Sequence, residues 1–335
     1  MPVPIPKAST CSGTLSISKC SALAGICDSI KQHDLETVLE IRDLSKHYGR
    51  IKAVDGLSLK VNRGNVFGIL GPNGSGKTTT LGMILDVVNP TNGDFLWFGN
   101  TPTKDTRKRI GAILEHPIFY PYLTAVENLR IVCDIKGVPF SRIDEVIAQV
   151  GLDERKFTKY KTYSLGMKQR LSIASALLCD PEVMLLDEPT NGLDPQGIAE
   201  IRELIVDIAN SGKTIIIASH LLDEVQKVCT HFAVLRRGKL IHTGLVEDVS
   251  KGDVMVEVKA DHDNLQQVLE SSGMASKVKR ELDKYTMTMK EGYLPADVNR
   301  HLFEQGIAAR HLLLKTRNLE QQFLEILAET EGGKS

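Results

Sequence analysis

Residues 71–78 read Gly71-Pro72-Asn73-Gly74-Ser75-Gly76-Lys77-Thr78, and Thr79 follows. The apolar run Val66-Phe67-Gly68-Ile69-Leu70 precedes them, and Thr80-Leu81-Gly82-Met83-Ile84-Leu85 comes after. This spacing predicts a buried strand, a glycine-rich turn, and a helix opened by Lys77 and Thr78. A turn of this kind can cradle phosphate. Glycines let the backbone wrap an anion closely without Cβ clashes. Successive N–H groups and the helix N-terminus then point at the phosphate oxygens. All of residues 71 to 79 are therefore candidate nucleotide-binding positions. Lys77 would bridge β- and γ-phosphate oxygens, and the Thr78 hydroxyl would ligate Mg²⁺. A plain strand–turn–helix corner with a chance lysine is the rival reading, and the flanking strand and helix argue against it.

A second chemical element is Val183-Met184-Leu185-Leu186-Asp187-Glu188-Pro189, an apolar strand ending in two acids. A carboxylate at such a strand end can hold Mg²⁺ through water beside a phosphate loop. Asp187 fits that role. Glu188 would then polarise the attacking water as general base. Taken alone, a strand with solvated acids at its end explains these residues equally well. The phosphate loop upstream decides for the functional reading.

The elements that must position these groups can be read in order. Residues 1–36 contain Ser, Cys and Pro without clear periodicity and are expected to be a disordered extension, since Pro2, Pro4 and Pro6 oppose a starting helix. Val38 to Leu44 alternates as a half-buried strand does, and Leu57 to Val61 reads as another. Further strands are expected over Asp94–Phe98, Arg109–Leu114, Val183–Leu186 and Thr214–Ala218. Thr124, with Glu127 three residues on, forms a capping-box pattern ahead of apolar residues at helical spacing. This predicts a helical insertion over about 117–180. Past Leu245 the pattern β-α-β-β-α-β and a final helix over Leu319–Leu327 predict a small ferredoxin-like module over 245–335.

Composition excludes some classes. The chain has 335 residues, with Lys+Arg 41 against Asp+Glu 42. A nucleic-acid binder usually carries a basic excess, and none appears globally. No nucleic-acid partner is expected. The six cysteines form no C-x-x-C pair, which fits a reduced, cytosolic compartment. The longest apolar runs, such as Thr214 to Ala218, are far shorter than the roughly 20 residues a membrane helix needs.

Ser164-Leu165-Gly166-Met167-Lys168-Gln169-Arg170 resembles the signature motif of ABC (ATP-binding cassette) ATPases. It lies between the phosphate loop and the acidic strand, as in that family. Gly192-Leu193-Asp194-Pro195 resembles the family's D-loop, Ser219-His220 its switch histidine, and Tyr48 its adenine-stacking aromatic residue. The resemblance runs from about Val38 to Thr243. It implies an α/β fold: a P-loop ATPase domain over 37–244, with a mixed-sheet core, an antiparallel β subdomain and a helical subdomain, followed by the small α/β module. It also implies ATP and Mg²⁺ as cofactors and an ATP sandwich between two protomers, in a homodimer or heterodimer. Ser164 and Gly166 would contact the γ-phosphate held by the other protomer, Asp194 would link the two sites, and His220 would sense the γ-phosphate.

Two departures from the family pattern stand out. The usual Leu-Ser-Gly-Gly-Gln is altered to a Ser-x-Gly-Met-x-Gln form that is similar to the ATPases of ABC-2-type exporters. The usual Gln after Leu114 is replaced by Glu115, which can still ligate Mg²⁺ as an oxygen donor. The resemblance thus implies an ATPase that drives a separate transmembrane permease from the cytoplasmic face of the membrane. Leu319-Glu320-Gln321-Gln322-Phe323-Leu324 is similar to the ending of exporter-type ATPases. A soluble ABC protein acting on nucleic acid or ribosomes is the rival. Such proteins usually carry two cassettes or a long coiled-coil insertion, and neither is visible. A GTP switch ranks last, because no Asn-Lys-x-Asp motif is evident.

Overall fold

The computed structural model describes residues 36–114, 119–250, 254–262, 264–281, 283–290 and 292–316. The expected N-terminal extension (apart from Glu36), Glu115 and the helix expected over Leu319–Leu327 lie outside the described residues. The chain begins with β1 (Thr37–Tyr48), β2 (Ile51–Asn62), β3 (Val66–Leu70), α1 (Lys77–Ile84), β4 (Asn92–Trp97), α2 (Lys104–Lys108) and β5 (Ile110–Ile113). Next come α3 (Ala125–Lys136), α4 (Arg142–Gln149), α5 (Leu165–Leu177), β6 (Val183–Asp187), α6 (Pro195–Asn210), β7 (Thr214–Ser219) and α7 (Leu222–Val228). Then follow β8 (His231–Arg236), β9 (Lys239–Leu245), α8 (Val246–Ser250), β10 (Val254–Ala260), α9 (Leu265–Ser271), β11 (Ala275–Glu281), β12 (Lys284–Met289), α10 (Pro295–Glu304) and β13 (Ala309–Thr316).

The central sheet has the order β5-β6-β7-β3-β8-β9. All its neighbours run parallel except β8 and β9. Parallel strands buried on both faces must be apolar throughout. β7 shows this: Ile215 and Ile217 face the core shared with α3 to α6, while Ile216 and Ala218 face the opposite core. That second core lies between the central sheet and the antiparallel sheet β2-β1-β4. It also takes up Leu81, Met83 and Ile84 of α1, so the helix after the phosphate loop is held in the interior. Trp97 of β4, 1% exposed, donates its indole N–H to the Ile84 carbonyl at 2.8 Å. This bond satisfies one carbonyl at the helix end.

The β1–β2 hairpin runs further than the sequence pattern predicts. Asp43 adopts a left-handed φ of 49°, and the pairing register shifts between Ile41 and Leu44. A bulge of this kind resets the in–out alternation. The pattern therefore reads as a strand that stops near Leu44, whereas pairing continues to Tyr48↔Ile51. The extension carries Tyr48 to the hairpin tip. The expected capping box is present: Thr124 Oγ1 accepts the Glu127 N–H, and the Glu127 carboxylate accepts the Thr124 N–H at 2.7 Å.

The four strands β11-β12-β10-β13 form a separate antiparallel sheet. With α9 and α10 they enclose their own core, which includes Val256, Val258, Leu269, Met287 and Leu302.

At the N-terminal ends of the parallel strands, Glu182 bridges two arginines. Arg63, ahead of β3, donates to it at 2.8 Å, and Arg109, ahead of β5, donates through Nε. The Arg109 guanidinium also lies 3.5 Å from the centre of the Phe98 ring. The Arg109 hydrogen bond, with Arg63 behind it, lowers the Glu182 carboxyl from 4.5 to about 2. A depressed carboxylate adds stability that is fully present above pH 4.5 and fades as the pH falls towards 2. Glu182→Gln is expected to lower the melting temperature by a few degrees at pH 7, with the gap to the parent closing as the pH approaches 2. Paired calorimetric scans across that range check this. A gap independent of pH would show that the arginine pair is not the source.

Candidate functional site

Strand order sets the site. β7 lies between β6 and β3. The loops leaving the C-terminal ends of these three strands carry, respectively, His220, Glu188 and the turn 71–76. Neighbouring strands are about 4.8 Å apart, so groups remote in sequence meet at one rim.

The turn has the strained backbone that the glycines predict. Gly74 has φ 77° and Gly76 φ 106°, and Gly76 caps α1. A Cβ on Gly76 would lie 2.4 Å from the Ala53 carbonyl oxygen, and one on Gly71 would lie 2.4 Å from that of Leu235. The β8–β9 turn braces the loop from outside. Gly238 N–H donates to the Ser75 carbonyl at 3.0 Å, and its carbonyl accepts the Asp55 N–H at 2.8 Å. Sequence reasoning missed Gly238 and Leu235, because the contact joins segments over 160 residues apart. The Arg-Gly turn at 237–238 was its only local signal. Ser75 Oγ is buried and has no hydrogen-bond partner. An orphan hydroxyl in a glycine-lined cradle fits a phosphate-binding turn.

Lys77 is 5% exposed. Its ammonium donates to the Gly71 carbonyl at 2.8 Å and lies 3.3 Å from Glu188 Oε1. Glu188 Oε2 lies 2.7 Å from His220 Nδ1. The three candidate catalytic residues therefore form one connected group, with Glu188 in the middle. Glu188 itself takes a left-handed φ of 46° at the end of β6 and donates its N–H to the Ala218 carbonyl at 2.9 Å. Asp187, 4% exposed, precedes it, and Thr78 is exposed at the start of α1. Among the described residues no group of three His, Cys, Asp or Glu side chains could hold a metal. A hydroxyl, one carboxylate, water and phosphate oxygens suit Mg²⁺, which seldom takes an all-protein cage.

Ser164, Gly166 and Asp194 meet elsewhere, in a cleft of about 330 Å³ that Lys77, Glu188 and His220 do not line. Ser164 is the N-cap of α5, and its Oγ accepts the Met167 N–H at 3.3 Å, leaving its own proton free to donate. Asp194 caps α6 by accepting the Gly197 N–H at 2.9 Å. Arg170 pairs with Glu200 at 3.0 Å on the wall of the same cleft. Tyr48 is 50% exposed at the tip of the hairpin, with the Lys46 ammonium 5.1 Å from its ring centre.

A phosphate-loop sheet with an acidic strand end, a histidine just past the neighbouring strand and a capped Ser-x-Gly turn defines a P-loop ATPase of the cassette type. The family model described as ABC transporter matches residues 54–191. The chain is 38% identical to the ABC transporter ATP-binding protein YhcH of Bacillus subtilis (strain 168), over 89% of this chain and 98% of that one. It is 46% identical to the bacitracin transport ATP-binding protein BcrA of Bacillus licheniformis, over 62% of this chain and 69% of that one. Among solved structures it resembles the dimeric post-hydrolysis state of the ATP-binding cassette MJ0796 bound to ADP and Pi, with a TM-score of 0.55 and 25% identity over 62% of this chain and 98% of that one. The chain belongs to the ABC transporter ATP-binding proteins. No helix among its described residues is long and apolar enough to cross a membrane.

The cradle depends on glycine at 76. Gly76→Ala is expected to weaken Mg–ATP binding at least tenfold while the chain remains folded, because the methyl group must displace a backbone carbonyl. Titration calorimetry with a melting curve checks this. Unchanged affinity would contradict the reading of the turn.

Proposed function

We propose that this chain is the ATP-hydrolysing motor of an ABC-2-type exporter, working on a separate transmembrane permease from the cytoplasmic face of the membrane. The observation that carries the reading is the contact of Glu188 with both Lys77 and His220, at the mouth of a glycine-lined turn. The exporter assignment draws on the likeness to the bacitracin transport protein.

In this reading the phosphates settle on backbone N–H groups of the turn 71–79, other than Pro72, which has none. Lys77 leaves the Gly71 carbonyl for β- and γ-phosphate oxygens, which are charged and therefore stronger acceptors. Thr78 and Asp187 would hold Mg²⁺; Glu115, the further oxygen ligand expected from the sequence, lies outside the described residues. Bound there, Mg²⁺ would supply positive charge to offset the charge developing on the transferring phosphoryl group. Glu188, released from Lys77, would accept a proton from the attacking water, and His220 would contact the γ-phosphate while its backbone N–H, 3.3 Å from Glu188 Oε2, keeps Glu188 oriented. Tyr48 stacks on the adenine.

Ser164 and Gly166 are placed on the γ-phosphate of a second copy, or of a homologous partner, in a head-to-tail pair. The free Ser164 proton and the N-terminus of α5 suit an anion. Asp194, capping α6 in the same cleft, carries the link between the two sites. The dimeric likeness of the MJ0796 cassette supports this arrangement. Residues 37–244 make up the motor and 245–335 an accessory module.

The permease would dock against the loop before α3 and the segment between α4 and α5. Tyr120, Tyr122 and Phe157 are exposed there by 50%, 62% and 72%. The neighbouring backbone is tied down: Asn128 Oδ1 accepts the Tyr120 N–H at 2.8 Å, and the Leu123 carbonyl accepts the Tyr160 N–H at 2.8 Å. Exposed aromatic residues grouped in this way suit an interface.

Glu188→Gln is expected to retain Mg–ATP binding, to cut turnover at least a hundredfold, and to accumulate as an ATP-dependent dimer. Phosphate release and light scattering after gel filtration check this. Turnover at the parent rate would remove Glu188 as general base. Changing Tyr122 and Phe157 together to Ser is expected to reduce co-purification of the permease several-fold at an unchanged melting temperature. Undiminished capture would move the permease contact elsewhere.

A further inference from the structure

Behind the reacting groups lies a buried carboxylate with no part in the chemistry above. Glu224 sits in the first turn of α7 and is 7% exposed. Its Oε1 accepts the Thr190 hydroxyl. Its Oε2 accepts the Ser219 hydroxyl at 3.0 Å, and Ser219 Oγ in turn accepts the Leu221 N–H at 3.0 Å. Thr190 and Ser219 are also buried, at 5% and 0% exposure. Arg202, 3.6 Å from Asp223, shares a small pocket with Glu224 and Cys229.

Position gives these bonds their meaning. Thr190 lies two residues after Glu188, and Ser219 immediately precedes His220. One carboxylate therefore ties together the two segments that leave β6 and β7. Glu188 needs such support, because its left-handed φ of 46° is a conformation that persists only where the surroundings over-determine it. Burying a carboxylate is unfavourable unless its oxygens are bonded. An apolar side chain could fill the volume but could not hold both turns.

We infer that Glu224 is a positioning residue for ATP hydrolysis: its carboxylate locks the Glu188 turn against the His220 turn and keeps carboxylate and imidazole in register. It touches no nucleotide atom. It acts on the transition state through the 2.7 Å contact between Glu188 and His220, and so on kcat more than on ATP affinity. The same tie joins the first turn of α7 to Thr190 and Ser219. This inference rests on the reading of Glu188 as general base.

The test uses the full chain, with kcat, KM for ATP, Mg–ATP affinity and melting temperature measured for each variant. Glu224→Ala is expected to lower kcat at least tenfold while KM and affinity stay within about threefold. Glu224→Gln is expected to recover most of the loss, because both hydroxyls can turn to bond the amide. Thr190→Val is expected to lower kcat by itself, and the double variant Glu224→Ala with Thr190→Val to be no slower than Glu224→Ala alone, since both cut the same tie. Thr190→Val and Glu224→Gln carry the test if Glu224→Ala does not fold. A parent-like kcat in Glu224→Ala, a loss of ATP affinity matching the loss of kcat, or additive losses in the double variant would each overturn the inference. Glu188→Gln, run alongside, separates the two failures. If it is inactive while Glu224→Ala is normal, only the positioning role falls. If it turns over normally, the general-base reading falls first.

Discussion

The structure depends on holding one carboxylate, Glu188, between a cation and an imidazole. Lys77 stands 3.3 Å to one side and His220 2.7 Å to the other. The three residues come from separate parts of the chain, and only the strand order β6-β7-β3 brings them to one rim. The fully buried strand β7 fills the centre of that arrangement. Its apolar faces fuse the two cores, so the rim cannot spread without opening both.

The contacts of Lys77 also make the site responsive. Its ammonium rests on the Gly71 carbonyl and on Glu188. Both are acceptors that phosphate oxygens outcompete in charge. Nucleotide arrival, on the proposed account, redistributes the same bonds without building new elements. The loop that performs the exchange is stiffened by the β8–β9 turn through Gly238.

Much of this was legible in the sequence, for a physical reason. The turn 71–78, the acidic strand end and the capped Ser164 turn are local devices, whose residue types are dictated by backbone conformation or by hydrogen bonds a few positions away. The chain segments carrying the central sheet could also be read, because parallel buried strands show as uninterrupted apolar runs. The hairpin was read too short, because the bulge at Asp43 breaks the alternation that marks a strand. The bracing of the cradle by Gly238, the Glu182 bridge between Arg63 and Arg109, and the tie through Glu224 were not legible. Each joins residues that only the folded sheet makes neighbours, and none carries a spacing signal.

The most direct test of the central claim is a structure of the chain with Mg²⁺ and a non-hydrolysable ATP analogue. The account predicts the Lys77 ammonium on the β- and γ-phosphates, its contact with the Gly71 carbonyl broken, and Ser164 of a second copy bonded to the same γ-phosphate. Nucleotide bound with Lys77 still seated on Gly71 and Glu188, and with no second copy across it, would contradict the account.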